Sequence, residues 1–67
     1  MSEPRTLQYW EVFGREAADI PVRHVGAVEA ATDDDAQVFA GMLYDEFRWI
    51  DLFVVPRRAL VAVVRVA

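Results

Sequence analysis

The chain has 67 residues, no cysteine, and eleven Asp and Glu against seven Arg, a net charge of −4. That length supports one small domain, the missing thiols exclude a disulfide framework or thiolate metal site, and the acidic balance works against a phosphate backbone as ligand. Hydrophobic residues make up 55% of the chain, with two Trp, two Tyr and four Phe. A monomer this small does not readily bury so much apolar material, so the composition points to self-association or a partner.

The opening Met1–Leu7 is polar with a proline and is expected to form a flexible arm, leaving 8–67 as a single domain. It lacks the apolar core of a secretion signal, and no apolar run nears the roughly 20 residues of a spanning helix. The expectation is a cytoplasmic protein without membrane or nucleic-acid partners. "QYWEVFGR", Gln8 to Arg15, is aromatic and β-branched and predicts a strand, with Gly14 permitting a bulge or a close backbone approach. Pro21 places "EAADIPV" in a connection. "RHVGAVEAA", Arg23 to Ala31, predicts a second strand, paired antiparallel with the first as a long-looped hairpin.

Thr32 is a suitable helix N-cap, and Asp33, Asp34 and Asp35 fill a first turn where the helix dipole favours anions. Ala36, Phe39, Ala40, Leu43 and Phe47 then form one apolar stripe at helical spacing, so Leu43→Ala is expected to cost about 2–5 kcal/mol. "WIDLFVVP", Trp49 to Pro56, predicts a third strand and "RRAL" a short turn. Leu60 to Val66 reads as a fourth strand or an apolar docking tail. The order β-β-α-β predicts an α+β fold, a small antiparallel sheet with one helix on one face.

Strand alternation assigns the faces. Glu11 and Arg15 mark the solvent side, which puts Phe13 outside and Trp10 and Val12 beneath the helix. Asp51 puts Phe53 and Val55 outside, with Ile50, Leu52 and Val54 inside. Arg23 and Glu29 put Val25 and Ala27 outside, with His24, Gly26 and Val28 inside. One helix leaves the outer face uncovered, so Phe13, Val25, Phe53 and Val55, with Arg57 and Arg58 nearby, are the expected interface residues.

Chemistry-bearing groups are few. His24 is the single histidine, and general-base work would need an orienting acid and a nucleophile; Asp19 and Glu29 are the nearest acids in sequence. One His among scattered carboxylates is also a poor ligand supply for zinc or iron, and a strand imidazole hydrogen-bonded to backbone or a carboxylate fits the pattern better. The Asp33–Asp35 run lacks the spacing and glycine of a calcium loop and reads as helix-start acidity. Asp45 and Glu46 read as a solvated face. Arg57 and Arg58 form the one compact basic spot, able to hold a phosphate or to pair with an acidic surface on a partner. Trp10 and Trp49 read as core or interface anchors. No catalytic residue, metal or cofactor is expected in this chain.

"YWEVFGR", then "RHVGAVEAA", then a helix carrying Ala36, Ala40 and Tyr44, then "DLFVV", together resemble the small B subunit of bacterial phenylacetyl-CoA epoxidase. The resemblance spans about Tyr9 to Pro56, and its most specific part is "EVF" followed at this distance by "RHVG". On that pattern Glu11, Val12, Phe13, His24, Val25 and Gly26 are family-motif structural positions. The resemblance implies a non-catalytic assembly subunit of a multicomponent di-iron oxygenase acting on an aromatic acyl-CoA. The di-iron site and the acyl-CoA pocket would belong to a larger helical subunit. The partners would be the catalytic and structural subunits of that complex, with this chain itself a homo-oligomer, expected as a dimer. Two other classes stay open: a small dimeric ferredoxin-like enzyme with His24 as base, and a ribosome-associated ββαβ protein whose usual basic surface is missing.

Overall fold

A computed structural model describes residues 6–66. Most of the expected arm, residues 1–5, lies outside that range, as does residue 67; Thr6 and Leu7 are exposed and precede the first strand. The elements are β1 (Gln8–Arg15), β2 (Arg23–Ala30), α1 (Asp33–Leu43) and β3 (Asp51–Pro56), followed by one 3₁₀ turn over Arg57–Ala59. The sheet order is β2-β1-β3, with β1 antiparallel to both neighbours. The fold is therefore α+β, a three-stranded antiparallel sheet with a single helix.

Chain chemistry explains the order. β1 carries Trp10 and Val12, both buried, and contains no proline, so it can pair on both edges. β3 ends in Pro56, which cannot donate to a ladder and is tolerated at an edge. β2 and β3 flank β1 and run parallel to each other, so they need a crossover, and α1 supplies it by packing across one face of the sheet.

The helix begins where the cap chemistry places it. The Thr32 hydroxyl accepts the Asp35 N–H at 3.2 Å, and three aspartates occupy the first turn. It stops at Leu43, earlier than a stripe reaching Phe47 requires. The Trp49 indole donates to the Tyr44 carbonyl, giving the helix end a partner for one of its unpaired acceptors. Phe47 instead meets Trp49 edge-on at 5.5 Å in the connection that follows.

The helix face that packs is also narrower than the stripe. Ala36 and Ala40 are fully buried with Trp10, Val12, Val28 and Ala30, and Val25, Tyr44, Leu52 and Val54 close around that core. Phe39 is partly exposed, and Leu43 is 64% exposed at the helix end. The two alanines let the helix lie close to the sheet, and that close approach leaves no room beneath it for the larger side chains. The expected large cost of Leu43→Ala is thus overturned.

Two glycines carry close contacts. A Cβ at Gly14 would stand 2.9 Å from the Asp51 carbonyl oxygen, Leu52 Cδ1 and Trp49 Cε3, the close approach that the sequence allowed for. A Cβ at Gly26 would stand 2.1 Å from the Tyr44 hydroxyl oxygen, which donates to the Ala27 carbonyl at 3.4 Å. Gly26 is the socket for Tyr44.

Three further expectations are corrected. Ile50 precedes β3 and is about half exposed; its N–H donates to the Arg15 carbonyl at 3.0 Å. Leu60–Val66 forms no strand and stays exposed. The third correction is in β2. Val12 pairs with Gly26 and Phe13 with His24, so Val25 is an extra residue, a β-bulge. Val25 packs against the core, and His24 lies on the outer face beside Phe13, the reverse of the sequence assignment for both. The bulge breaks the alternation that linked Arg23 to Glu29: Arg23 pairs with Gly14 and lays its guanidinium 5.5 Å from the Trp49 ring centre on the helix side of the sheet.

Candidate functional site

The outer face of the sheet is built by cross-strand register. Phe13 stands opposite His24 on one side and Phe53 on the other, which makes a transverse row His24–Phe13–Phe53. The Phe13 and His24 rings are 5.2 Å apart and tilted by 58°. The next row along β1 is Ala27–Glu11–Val55, and Tyr9 opposite Glu29 follows. Phe53 remains 49% exposed and Tyr9 50%, so aromatic surface faces solvent at both ends of this patch.

Charged pairs close the patch. Arg15 and Asp51 are register partners, and Arg15 Nε donates to Asp51 Oδ2 at 2.5 Å. At the opposite end, Arg57 comes back from the 3₁₀ turn to donate to Glu11 Oε2, with its guanidinium carbon 4.5 Å from the Tyr9 ring centre. His24 Nε2 meets the other carboxylate oxygen, Glu11 Oε1, at 2.7 Å. Glu11 is the single charged residue among the buried ones described, at 8% exposure. Both its oxygens are engaged, as a buried carboxylate requires. Arg57 on one oxygen holds Glu11 below the usual carboxylate range, opposed by burial and reinforced by His24.

Of the expected interface residues, the structure brings Phe13, Phe53, Val55 and Arg57 together on this face. Val25 is turned into the core by the bulge. Arg58 goes the other way from Arg57, donating to Gln8 Oε1 and lining a groove on the helix side of the sheet. The two guanidiniums therefore do not converge, and the Arg57–Arg58 pair makes no joint phosphate cradle. Among the motif positions, Val12 is core, Gly26 receives Tyr44, and Glu11 with His24 forms a polar border to the Phe13–Phe53 pair.

Sequence reasoning missed Glu11 as the acid that meets His24. The sequence carried no signal for it: pairing the expected strand ends, Arg15 with Arg23, puts His24 inside just as alternation from Glu29 does. It is the Gly14–Arg23 register with its bulge that turns His24 outward.

Chemically, the face offers one half-exposed imidazole oriented by a buried carboxylate, with the Phe13 ring beside it. No three His, Asp or Glu side chains among the described residues are grouped to hold a metal ion. No helix of the described residues is long and apolar enough to cross a membrane. The groove, about 530 Å³ with Trp10, Leu52 and Val54 among its lining residues, opens on the other side of the sheet from His24. Comparison of the chain with family models, curated proteins and solved structures returned no match.

Proposed function

We propose that this chain is a non-catalytic assembly subunit of a cytoplasmic multicomponent di-iron oxygenase that acts on an aromatic acyl-CoA, and that the outer sheet face seats the catalytic subunit. One observation carries the proposal: Phe13 and Phe53 stand side by side on a bare sheet face, ringed by the Arg15–Asp51 and Arg57–Glu11–His24 pairs. An apolar centre within a polar rim is the anatomy of a protein interface, and aromatic side chains are its usual anchors. The "EVF" and "RHVG" segments that support the choice of complex are also the segments that build this face.

The test is co-elution with the di-iron catalytic subunit. Phe53→Glu should leave the circular dichroism spectrum unchanged, because Phe53 lies outside the core, while weakening capture by about 2 kcal/mol or more. Undiminished capture by a folded Phe53→Glu variant refutes the assignment of the face. Failure of the unmodified chain to capture that subunit refutes the choice of complex.

The Glu11–His24 contact favours a second function, a small enzyme with His24 as general base and Glu11 fixing the ring. It requires that the purified chain alone turn over a small substrate and that His24→Ala abolish the activity. The assembly role requires neither.

A further inference from the structure

We propose that Leu60–Val66 is a strand donated to a second copy of this chain, where it pairs with the free edge of β3 and walls the groove beside α1. This does not rest on the oxygenase assignment.

The segment "LVAVVRV" is strongly β-prone and apolar, yet Val61 is 87% exposed and Val63 is 95% exposed. The fold is drawn out accordingly: its radius of gyration is 13.8 Å, against about 11 Å for a compact chain of this length. A hairpin back onto β3 of the same chain is opposed by the turn between them. Arg57 is tied to Glu11 and Arg58 to Gln8, both on β1, so the turn is held toward the side of β3 that is already paired. The other edge of β3 is open. Exposed apolar strands and open edges are hazards that proteins cover, and strand addition satisfies both at once.

Two features select a second copy as the partner. First, charge: Leu60–Val66 carries one arginine, Arg65, and no acidic side chain, while the residues before it carry all eleven carboxylate side chains against six arginines, a balance of −5. Each copy thus offers an apolar segment of positive charge and an acidic body to receive it. Second, area: the groove-facing side chains of Leu60, Val64 and Val66 expose about 350 Å², so reciprocal exchange, with the surfaces met, buries about 1,400 Å², within the range of a standard interface.

The alternation fits as well. In a strand beside β3, Leu60, Ala62, Val64 and Val66 share one face and Val61, Val63 and Arg65 the other. The uncharged set covers the groove, whose lining includes Leu52, Val54 and Pro56, and Arg65 stays at the outer face. Reciprocal exchange gives a closed two-fold dimer with no edge of β3 left free.

Sedimentation equilibrium on the whole chain should give a dimer. A chain ending after Ala59, and the full chain with Val63→Pro, which removes a ladder N–H, should each dimerise roughly a hundredfold or more weakly, with the fold retained by circular dichroism. Val63→Ile, β-branched and apolar, should remain dimeric. Hydrogen exchange should show β3 amides protected in the whole chain and released in the shortened one. A monomeric whole chain overturns the proposal, and so does a dimer that survives both disruptive variants. Unfolding of the shortened chain also overturns it, since the segment would then belong to its own chain's fold. Capture of the catalytic subunit by the outer face is read separately through Phe53→Glu, so the two proposals fail independently.

Discussion

Gly26→Ala probes the contact between the crossover helix and the bulged strand. The added methyl would stand 2.1 Å from the Tyr44 hydroxyl oxygen and 2.9 Å from its Cζ, so the Tyr44 ring must move. Its movement gives up the hydrogen bond to the Ala27 carbonyl, about 0.5–1.5 kcal/mol, and disturbs packing at a cost of about 1–3 kcal/mol. The loss of unfolded-chain freedom on replacing glycine returns about 0.4–1 kcal/mol. A net cost of about 1–3 kcal/mol follows, equivalent to a fall in Tm of roughly 5–20 °C for a domain of this size. Thermal melts by circular dichroism, at one fixed protein concentration because association shifts Tm, measure it. The decisive comparison is a double-mutant cycle with Tyr44→Ala: without the ring, Gly26→Ala should be neutral or slightly stabilising. Equal costs in the two backgrounds would refute the idea that Tyr44 is what forbids a side chain at position 26.

Leu43→Ala, at an exposed helix end, should cost less than about 1 kcal/mol, whereas Ala40→Leu, forced between helix and sheet, should cost about 1–3 kcal/mol; chemical denaturation of both variants ranks them. Glu11 has a depressed pKa in the folded chain, so its charged contacts stabilise fully above the unfolded value of about 4.3 and are lost as pH falls through the lower folded value. Glu11→Gln should therefore be less stable than the unmodified chain at neutral pH, with the gap closing in acid; a gap independent of pH would show that the carboxylate charge contributes nothing there.

The legible part of the fold was whatever depended on local chemistry. Gln8–Arg15 could be read as a strand from its aromatic and β-branched residues, and Thr32 with its three aspartates marked the helix start to the residue. Alternation placed Trp10, Val12, Leu52 and Val54 under the helix, because β1 and β3 run without interruption. What escaped depended on distant contacts. Arg23 read as a solvent-side charge, but it lies over Trp49, a partner 26 positions further along the chain. With the bulge at Val25, which no local pattern announces, that misplacement reversed Val25 and His24 and hid the Glu11–His24 contact. The helix stripe was misread for a related reason. Helical periodicity identifies an apolar side without saying how near the sheet comes, and here the alanines decide that distance.

The same closeness bears on what the chain is built to do. Among the described residues six hydrophobic ones are buried, three of them alanine, and Val12 is the largest side chain with essentially no exposure. The molecule measures only 15 Å along its shortest axis, room for a sheet and one helix and nothing over the sheet's other side. Its larger apolar side chains are spent elsewhere: Phe53 and Tyr9 on the outer face, Val38, Met42 and Leu43 along the helix, and the valines after Leu60. A subunit that completes its packing on assembly, the role proposed above, needs no more core than this. For such a subunit stability would depend on partner concentration by mass action, because a partner that binds only the folded state stabilises that state alone.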